Sequence, residues 1–204
     1  MQIKVMPLGP LETNCYLLSS SSEAVVIDPG GDPAPILEWL SNHKLKLTHI
    51  LNTHLHFDHT YGNSRLSAAA GVKIQAGAAE KLLAGTELMQ GGLFDLPLVE
   101  DYTWEAIEPG RYQMLGLKCE VRATPGHSPG SLTYYFPDAA VAFVGDVIFR
   151  GAVGRTDFAC ASHTQLLQSI ETQILTLPDE TTLYPGHGPS TTVKRERKSN
   201  PYLY

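Results

Sequence analysis

The run Thr53-His54-Leu55-His56-Phe57-Asp58-His59 constrains this chain more than any other feature. Four groups able to ligate a metal stand between positions 54 and 59, where an apolar strand gives way to a helix. In extended or turn backbone His54 and His56 point the same way, because side chains alternate with period two. Asp58 and His59 fall on the helix entry and can turn toward a second position. Neutral imidazoles and carboxylates suit zinc, iron or manganese, and a site with few thiolates is typical of catalysis rather than of a structural metal.

Three further candidates stand where strands end. Thr124-Pro125-Gly126-His127-Ser128-Pro129-Gly130 places His127 in a turn, Val144-Gly145-Asp146 puts a carboxylate after an apolar strand, and Tyr184-Pro185-Gly186-His187-Gly188 repeats the strand-to-turn pattern. Glycine and proline beside each one let the backbone bend sharply and bring the side chain to a common edge. Together the seven supply enough ligands for two metals. The other histidines, His43, His49 and His163, have no such setting and read as structural or exposed.

The rest of the chain reads as short strands interleaved with helices. Strands are predicted over Cys15 to Leu18, Ala24 to Asp28, Thr48 to Thr53, Tyr112 to Leu117, Lys118 to Ala123, Ser131 to Phe136, Val141 to Val144 and Thr182 to Tyr184. Helices are predicted from Asp32 or Pro33 through Leu40, from Asn63 to Ala70 with Gly71 as its stop, and from about His163 to Leu175. Strand-rich blocks with helices in both halves suggest two sheets packed together with helices outside. Residues 85–109 carry Gly91-Gly92, Pro97 and the apolar Leu88, Met89, Leu93, Phe94, Leu96 and Leu98 without a clean period. Such a segment is either a flap over the site or a loop on a satellite core.

Composition bounds the function. At 204 residues the chain fits one domain, residues 1–204, able to bury a substantial core. A net charge of −6 argues against nucleic acid as partner. The cluster Lys194-Arg195-Glu196-Arg197-Lys198 reads as the solvated face of a last helix. No run approaches the roughly 20 apolar residues of a membrane span, and Met1 to Pro7 shows no secretion signal. Cys15, Cys119 and Cys160 form no disulfide framework, so reduced, mostly buried thiols in a cytoplasmic protein are expected.

The ordered set His54-x-His56-x-Asp58-His59, His127, Asp146 and His187 resembles the metallo-β-lactamase superfamily of hydrolases. Asp28, in Val26-Ile27-Asp28-Pro29-Gly30, fits a further short motif of that family, a residue beneath the metal cluster. The resemblance implies an α/β fold, a four-layer αββα sandwich with two divalent metal ions at the sheet edges, zinc first and iron or manganese as alternatives. It implies that His54, His56 and His127 hold one ion, that Asp58, His59 and His187 hold the other, and that Asp146 bridges them. Asp58 and Asp146 would then be the catalytic carboxylates around a metal-bridging hydroxide.

Within the family the segments around His127, Asp146 and His187 are most similar to glyoxalase II, the hydroxyacylglutathione hydrolases. That implies cleavage of a small-molecule thioester such as S-lactoylglutathione, with Arg155 of Gly154-Arg155 on the substrate side. Arg195-Glu196-Arg197-x-x-Asn200-Pro201 resembles compact bacterial members, which lack the C-terminal helical domain of the full-length form. The alternative is a persulfide dioxygenase, which uses one iron on the same scaffold and shares Gly154-Arg155-Thr156-Asp157-Phe158; Gly186-His187-Gly188 looks more like the hydrolase version. A β-lactamase and a nuclease rank lower: Asp58-His59 with Asp146 is the glyoxalase pattern, and the acidic balance disfavours a polyanion.

Overall fold

Two of the chain's most apolar strands read as continuous hydrophobic runs rather than as alternations, and a strand of that kind needs cover on both faces. The computed structural model, which describes residues 1–92 and 95–203, supplies it. In chain order the first half contains β1 (Gln2–Leu8), β2 (Thr13–Ser19), β3 (Glu23–Ile27), α1 (Ala34–Asn42), β4 (Lys46–Leu51), α2 (Phe57–Thr60), α3 (Asn63–Ala70), β5 (Ile74–Ala76), α4 (Glu87–Gln90) and β6 (Trp104–Ala106). The second half contains β7 (Gly110–Met114), β8 (Leu117–Ala123), β9 (Leu132–Phe136), β10 (Val141–Gly145), β11 (Ile148–Phe149), β12 (Ala152–Val153), α5 (His163–Ser169), β13 (Thr182–Pro185), β14 (Thr191–Thr192) and α6 (Val193–Ser199).

β1 to β6 form one sheet in sequence order, and a second sheet runs β14-β13-β10-β9-β8-β7. Side-chain parity sorts the core into three layers. Tyr16, Leu18, Val25 and Ile27 face inward and meet Cys119, Val121, Tyr134, Phe136 and Phe143 of the opposite sheet. Their neighbours Cys15, Leu17, Ala24 and Val26 face outward, under Ile36 and Leu40 of α1 and Leu66 of α3. On the second sheet Ala142, Val144 and Leu183 face outward against Leu166, Ile170 and Ile174. This is the αββα sandwich that the family resemblance implied.

Several predicted elements keep their limits. α3 ends at Gly71, whose φ of 65° is the left-handed stop. α1 opens just after Pro33, with the Ala34 amide donating to Asp32 Oδ1 at 3.1 Å. Others shift. The predicted strand from Tyr112 to Leu117 ends at Met114, because Leu115 and Gly116 turn the hairpin with φ of 55° and 74°. The helix begun at His163 is α-helical only to Ser169 and continues to Ile174 as a π turn. β1, β5 and β6 were not predicted. Of the segment 85–109, α4, a bridge between Gly91 and Leu98, and β6 are seen; Leu93 and Phe94 lie outside the described residues. No helix among the described residues is long and apolar enough to cross a membrane.

Candidate metal centre

All seven predicted ligands meet at one edge of the sandwich. β4, β10 and β13 run out to that edge at their C-terminal ends, and β8 reaches it as well. His54 and His56 follow β4, and α2 carries Asp58 and His59. His127 follows β8, Asp146 follows β10, and His187 follows β13. Hydrogen bonds across the sheets fix the edge. The Asn14 side-chain amide donates to the carbonyls of Pro185 (3.0 Å) and Gly188 (2.8 Å), Tyr16 Oη donates to Pro185 O, and the Leu132 amide donates to Thr53 O at 2.8 Å.

The donors fall into three groups whose ligating atoms all lie within 4.8 Å of one another: His54, His56 and His127; Asp58, His59 and His187; and His54, His59 and Asp146. Asp146 stands between the first two. Its Oδ1 is 3.5 Å from His59 Nε2, and its Oδ2 is 3.6 Å from His127 Nε2 and 3.7 Å from His187 Nε2. These separations are too long for direct hydrogen bonds. Accordingly Nε2 of His54, His56, His59 and His127 and Oδ1 of Asp146 are buried without a hydrogen-bond partner. Five unpaired polar atoms converging on one point would be costly in an apolar interior. Imidazole and carboxylate donors aimed at a common centre fit divalent cations of the zinc, iron and manganese kind. The edge is a metal-binding site of histidine and aspartate.

A buried layer of hydrogen bonds sets which imidazole nitrogen faces the centre. The Thr53 hydroxyl donates to Asp28 Oδ2 at 2.7 Å, and the Thr53 amide donates to Asp28 Oδ1 at 2.7 Å. With its proton committed, Thr53 Oγ1 can only accept from His54 Nδ1, 3.1 Å away, which leaves a lone pair on Nε2. His127 Nδ1 donates to the Arg155 carbonyl at 2.8 Å with the same result. His59 Nδ1 sits 3.0 Å from Asp28 Oδ2. Asp28 thus lies beneath the cluster, as its motif implied, with a φ of 52° that aspartate tolerates better than most residues.

Protonation follows burial and charge. Desolvation lowers His54 and His127 and brings His56 down to about 3, so these imidazoles stay neutral. Burial opposes charge on Asp58 and Asp146, yet the surrounding imidazoles hold both carboxyls below the usual range. Burial also opposes charge on His59 and His187, but Asp58 and Asp146 raise both. Gly186 matters for space: a Cβ there would lie 2.2 Å from Asp146 Oδ1 and 2.5 Å from His59 Cε1.

One residue at this edge escaped sequence reasoning. Glu80 is fully buried and joins two ligand-bearing loops. It accepts from the Leu55 amide (2.6 Å) between His54 and His56, and from Ser128 Oγ (2.6 Å) and the Gly130 amide (2.7 Å) after His127. In sequence it follows Ala78-Ala79 and precedes a lysine, which looks like the exposed turn of a helix. Glu196 is also buried, contrary to the solvated face expected of its cluster; Lys194, Arg195 and Lys198 around it are exposed. Arg155 is exposed beside the centre, and its guanidinium pairs with Asp157 through two contacts of 3.0 and 2.8 Å. His43 and His163 are exposed and His49 is half-buried, all away from the donor groups.

A family model described as "Metallo-beta-lactamase superfamily" matches residues 8–187. Among curated relatives, the probable metallo-hydrolase YqgX of Bacillus subtilis (strain 168) is 35% identical, and hydroxyacylglutathione hydrolase GloC of Haemophilus influenzae is 33% identical. Each match covers 100% of this chain and 98% of the relative. Among solved structures, the BLEG-1 B3 metallo-beta-lactamase superposes with a TM-score of 0.92 at 37% identity over 99% of both chains. TTHA1623 in a di-iron-bound form superposes with a TM-score of 0.88 at 35% identity over 98% of this chain and 100% of the other.

Proposed function

The chain belongs to the metallo-β-lactamase superfamily, and from that premise we propose that it is a two-metal thioester hydrolase of the hydroxyacylglutathione hydrolase type. The observation that carries this reading is the pair of donor triplets on either side of Asp146, with Nε2 of His54, His56 and His127 on one side and of His59 on the other buried and unpaired. His54, His56 and His127 would hold one ion, Asp58, His59 and His187 the other, with Asp146 able to reach both. Zinc suits the thiolate-free donor set, and the di-iron relative gives iron a footing. When bound, two such ions supply Lewis acidity toward a carbonyl oxygen and make water a nucleophile at neutral pH.

The protein's own groups do the rest. Asp58 lines the cavity beside His56, His127, Asp146 and His187. Thr13 Oγ1 donates to its Oδ2 at 2.9 Å, which fixes the carboxylate. Held ionised, Asp58 takes the proton from the attacking water and delivers it to the sulfur that leaves. The carbonyl carbon gains an oxygen and loses the thiolate, giving an acid and a thiol. The half-exposed ring of His187 and the exposed Arg155 stand where substrate enters.

The second reading is β-lactam hydrolysis, given a footing by the B3 metallo-beta-lactamase that superposes on this chain. A persulfide dioxygenase, which uses one iron held by two histidines and an aspartate on the same scaffold, keeps a footing in ETHE1 from Myxococcus xanthus, which superposes with a TM-score of 0.80 at 26% identity over 98% of this chain. The test is to purify the chain without added metal, measure metal content, and assay S-D-lactoylglutathione, a β-lactam, and oxygen uptake with glutathione persulfide. Two ions per chain with thioester cleavage, both lost in Asp146→Ala, are the expected results. One iron with oxygen uptake and no thioester cleavage overturns the proposal in favour of the dioxygenase. β-Lactam turnover alone moves it to the second reading.

A further inference from the structure

The cavity over the metal centre, about 590 Å³, is walled by Leu11, Phe57, Leu88, Leu96, Phe149 and Phe158. Two of these rings flank the donors themselves. Phe158 meets His56 and His127 edge-on, with centroids 5.5 and 5.6 Å apart, and Phe149 lies 6.5 Å from His187. A carbonyl delivered to the shared centre therefore enters between an aromatic wall beside the first triplet and another beside the second. Leu88 and Leu96 come from the segment 85–109, Leu88 before the Gly91–Leu98 bridge and Leu96 between its two residues.

Charge is missing from this wall on the substrate side. Among the described residues Arg155 is the only lysine or arginine that lines the cavity, and its guanidinium is already paired with Asp157 and laid over the Phe158 ring at 4.9 Å. A glutathione thioester brings two carboxylates and one ammonium. Carboxylates pressed onto leucine and phenylalanine lose hydration with nothing in return, whereas an alkyl or aryl group gains about a factor of three or more in binding for each buried methylene.

Resting on the thioester-hydrolase reading above, we propose that this cavity selects thioesters by an apolar acyl group, and that the charges of the thiol carrier stay outside and go unread. The preferred substrate is then a butyryl-, hexanoyl- or phenylacetyl-type thioester rather than the small hydroxylated lactoyl group.

The test is a matrix of kcat/KM values on the metal-loaded protein. Acetyl, butyryl, hexanoyl and phenylacetyl groups are each presented on glutathione and on uncharged N-acetylcysteamine, with S-D-lactoylglutathione alongside. We expect kcat/KM to rise about threefold or more per methylene from acetyl to hexanoyl on both carriers. Hexanoyl is expected to exceed lactoyl at least tenfold on glutathione, and the two carriers to agree within about threefold for any one acyl group. Leu96→Asn flattens the chain-length gradient. Calorimetric titration with uncleavable S-alkyl thioethers of N-acetylcysteamine gives a readout independent of turnover, with affinity rising along the same series. Cleavage of S-D-lactoylglutathione with a flat or falling gradient overturns this inference and leaves the thioester hydrolase standing. A glutathione carrier favoured more than tenfold likewise overturns it. Cleavage of no thioester overturns both readings together.

Discussion

At the scale of single residues, the two donor triplets differ in how far protons compete for them. His56 and His127 of the first triplet, with His54, are pushed down by burial and stay neutral well into acid. His59 and His187 of the second are pulled up by Asp58 and Asp146 and hold their protons at higher pH. A metal must displace those protons, so affinity at the second triplet falls first as pH drops through the raised values. Protein loaded at pH 8 and desalted through a descending pH series is expected to lose about one ion per chain first and to keep the other to lower pH. Elemental analysis checks this, and simultaneous loss of both ions would show that Asp146 couples them too tightly for an order to exist. Glu80 makes a different prediction. Glu80→Ala strands the Leu55 and Gly130 amides in a dry interior, while the Ser128 hydroxyl keeps Ser131 Oγ at 2.6 Å. Each stranded group costs about 1–3 kcal/mol, so a loss of about 2 kcal/mol or more in urea unfolding is expected, together with weaker metal retention as the two loops part. A Glu80→Ala protein of unchanged stability would mean that water replaces the carboxylate.

At the scale of elements, α6 turns Lys194, Arg195 and Lys198 to solvent as expected and with its buried side braces the hairpin of β11 and β12. Glu196 accepts from the Gly151 amide (2.8 Å), the Asn200 side chain (2.9 Å) and the Thr191 hydroxyl, and Asn200 Nδ2 donates to Ala152 O at 3.0 Å. That hairpin carries Phe149 into the cavity wall and runs on to the Arg155 carbonyl that orients His127. Glu196→Ala is expected to cost about 2–4 kcal/mol and to raise KM, while Lys198→Ala two residues on stays within about 0.5 kcal/mol. Equal effects of the two substitutions in urea titration would mean that the buried bonds of Glu196 add nothing to stability. The contrast shows what the sequence could convey. The ligands were legible because four crowd into the run from His54 to His59 after an apolar strand, and the other three each stand beside a glycine at a strand end, patterns readable within about ten residues. The long apolar strands β2, β3, β4, β9 and β10 were legible for the same local reason. β1 alternates poorly as an exposed edge, and β5 and β6 are three residues each, too short to show a period. Glu80 was illegible because a buried carboxylate differs from a surface one through partners 25 to 50 residues away, and the Gly151 amide that ties Glu196 to the hairpin is 45 residues away.

At the scale of the whole molecule, the metal centre is the joint between the two halves. His54, His56, Asp58 and His59 hang from the first sheet, and His127, Asp146 and His187 from the second. The sheets are otherwise held by the apolar layer between them and by a few hydrogen bonds at this edge, such as Tyr134 Oη to Asn52 O at 2.9 Å. An ion held by ligands from both sheets binds the folded sandwich and not the unfolded chain, so it stabilises in proportion to its occupancy. With free metal at about a thousand times Kd the gain is about 4 kcal/mol, which for a chain of this length moves Tm by roughly 8–16 °C. Thermal unfolding of the loaded protein should therefore show a Tm that drops by that order on chelation and returns when zinc is restored. Removing the ions also leaves Asp146 and Asp58 with only the raised imidazoles to balance them, so the metal-free protein should gain stability as pH falls from above the raised values of His59 and His187 to the ordinary imidazole value. The sign follows from their raised pKa: folding takes up protons at these two groups, and that contribution is present below their unfolded value and fades as pH rises through the folded one. A metal-free Tm indifferent to pH between about 6 and 8 would place the joint's strength in the apolar layer alone.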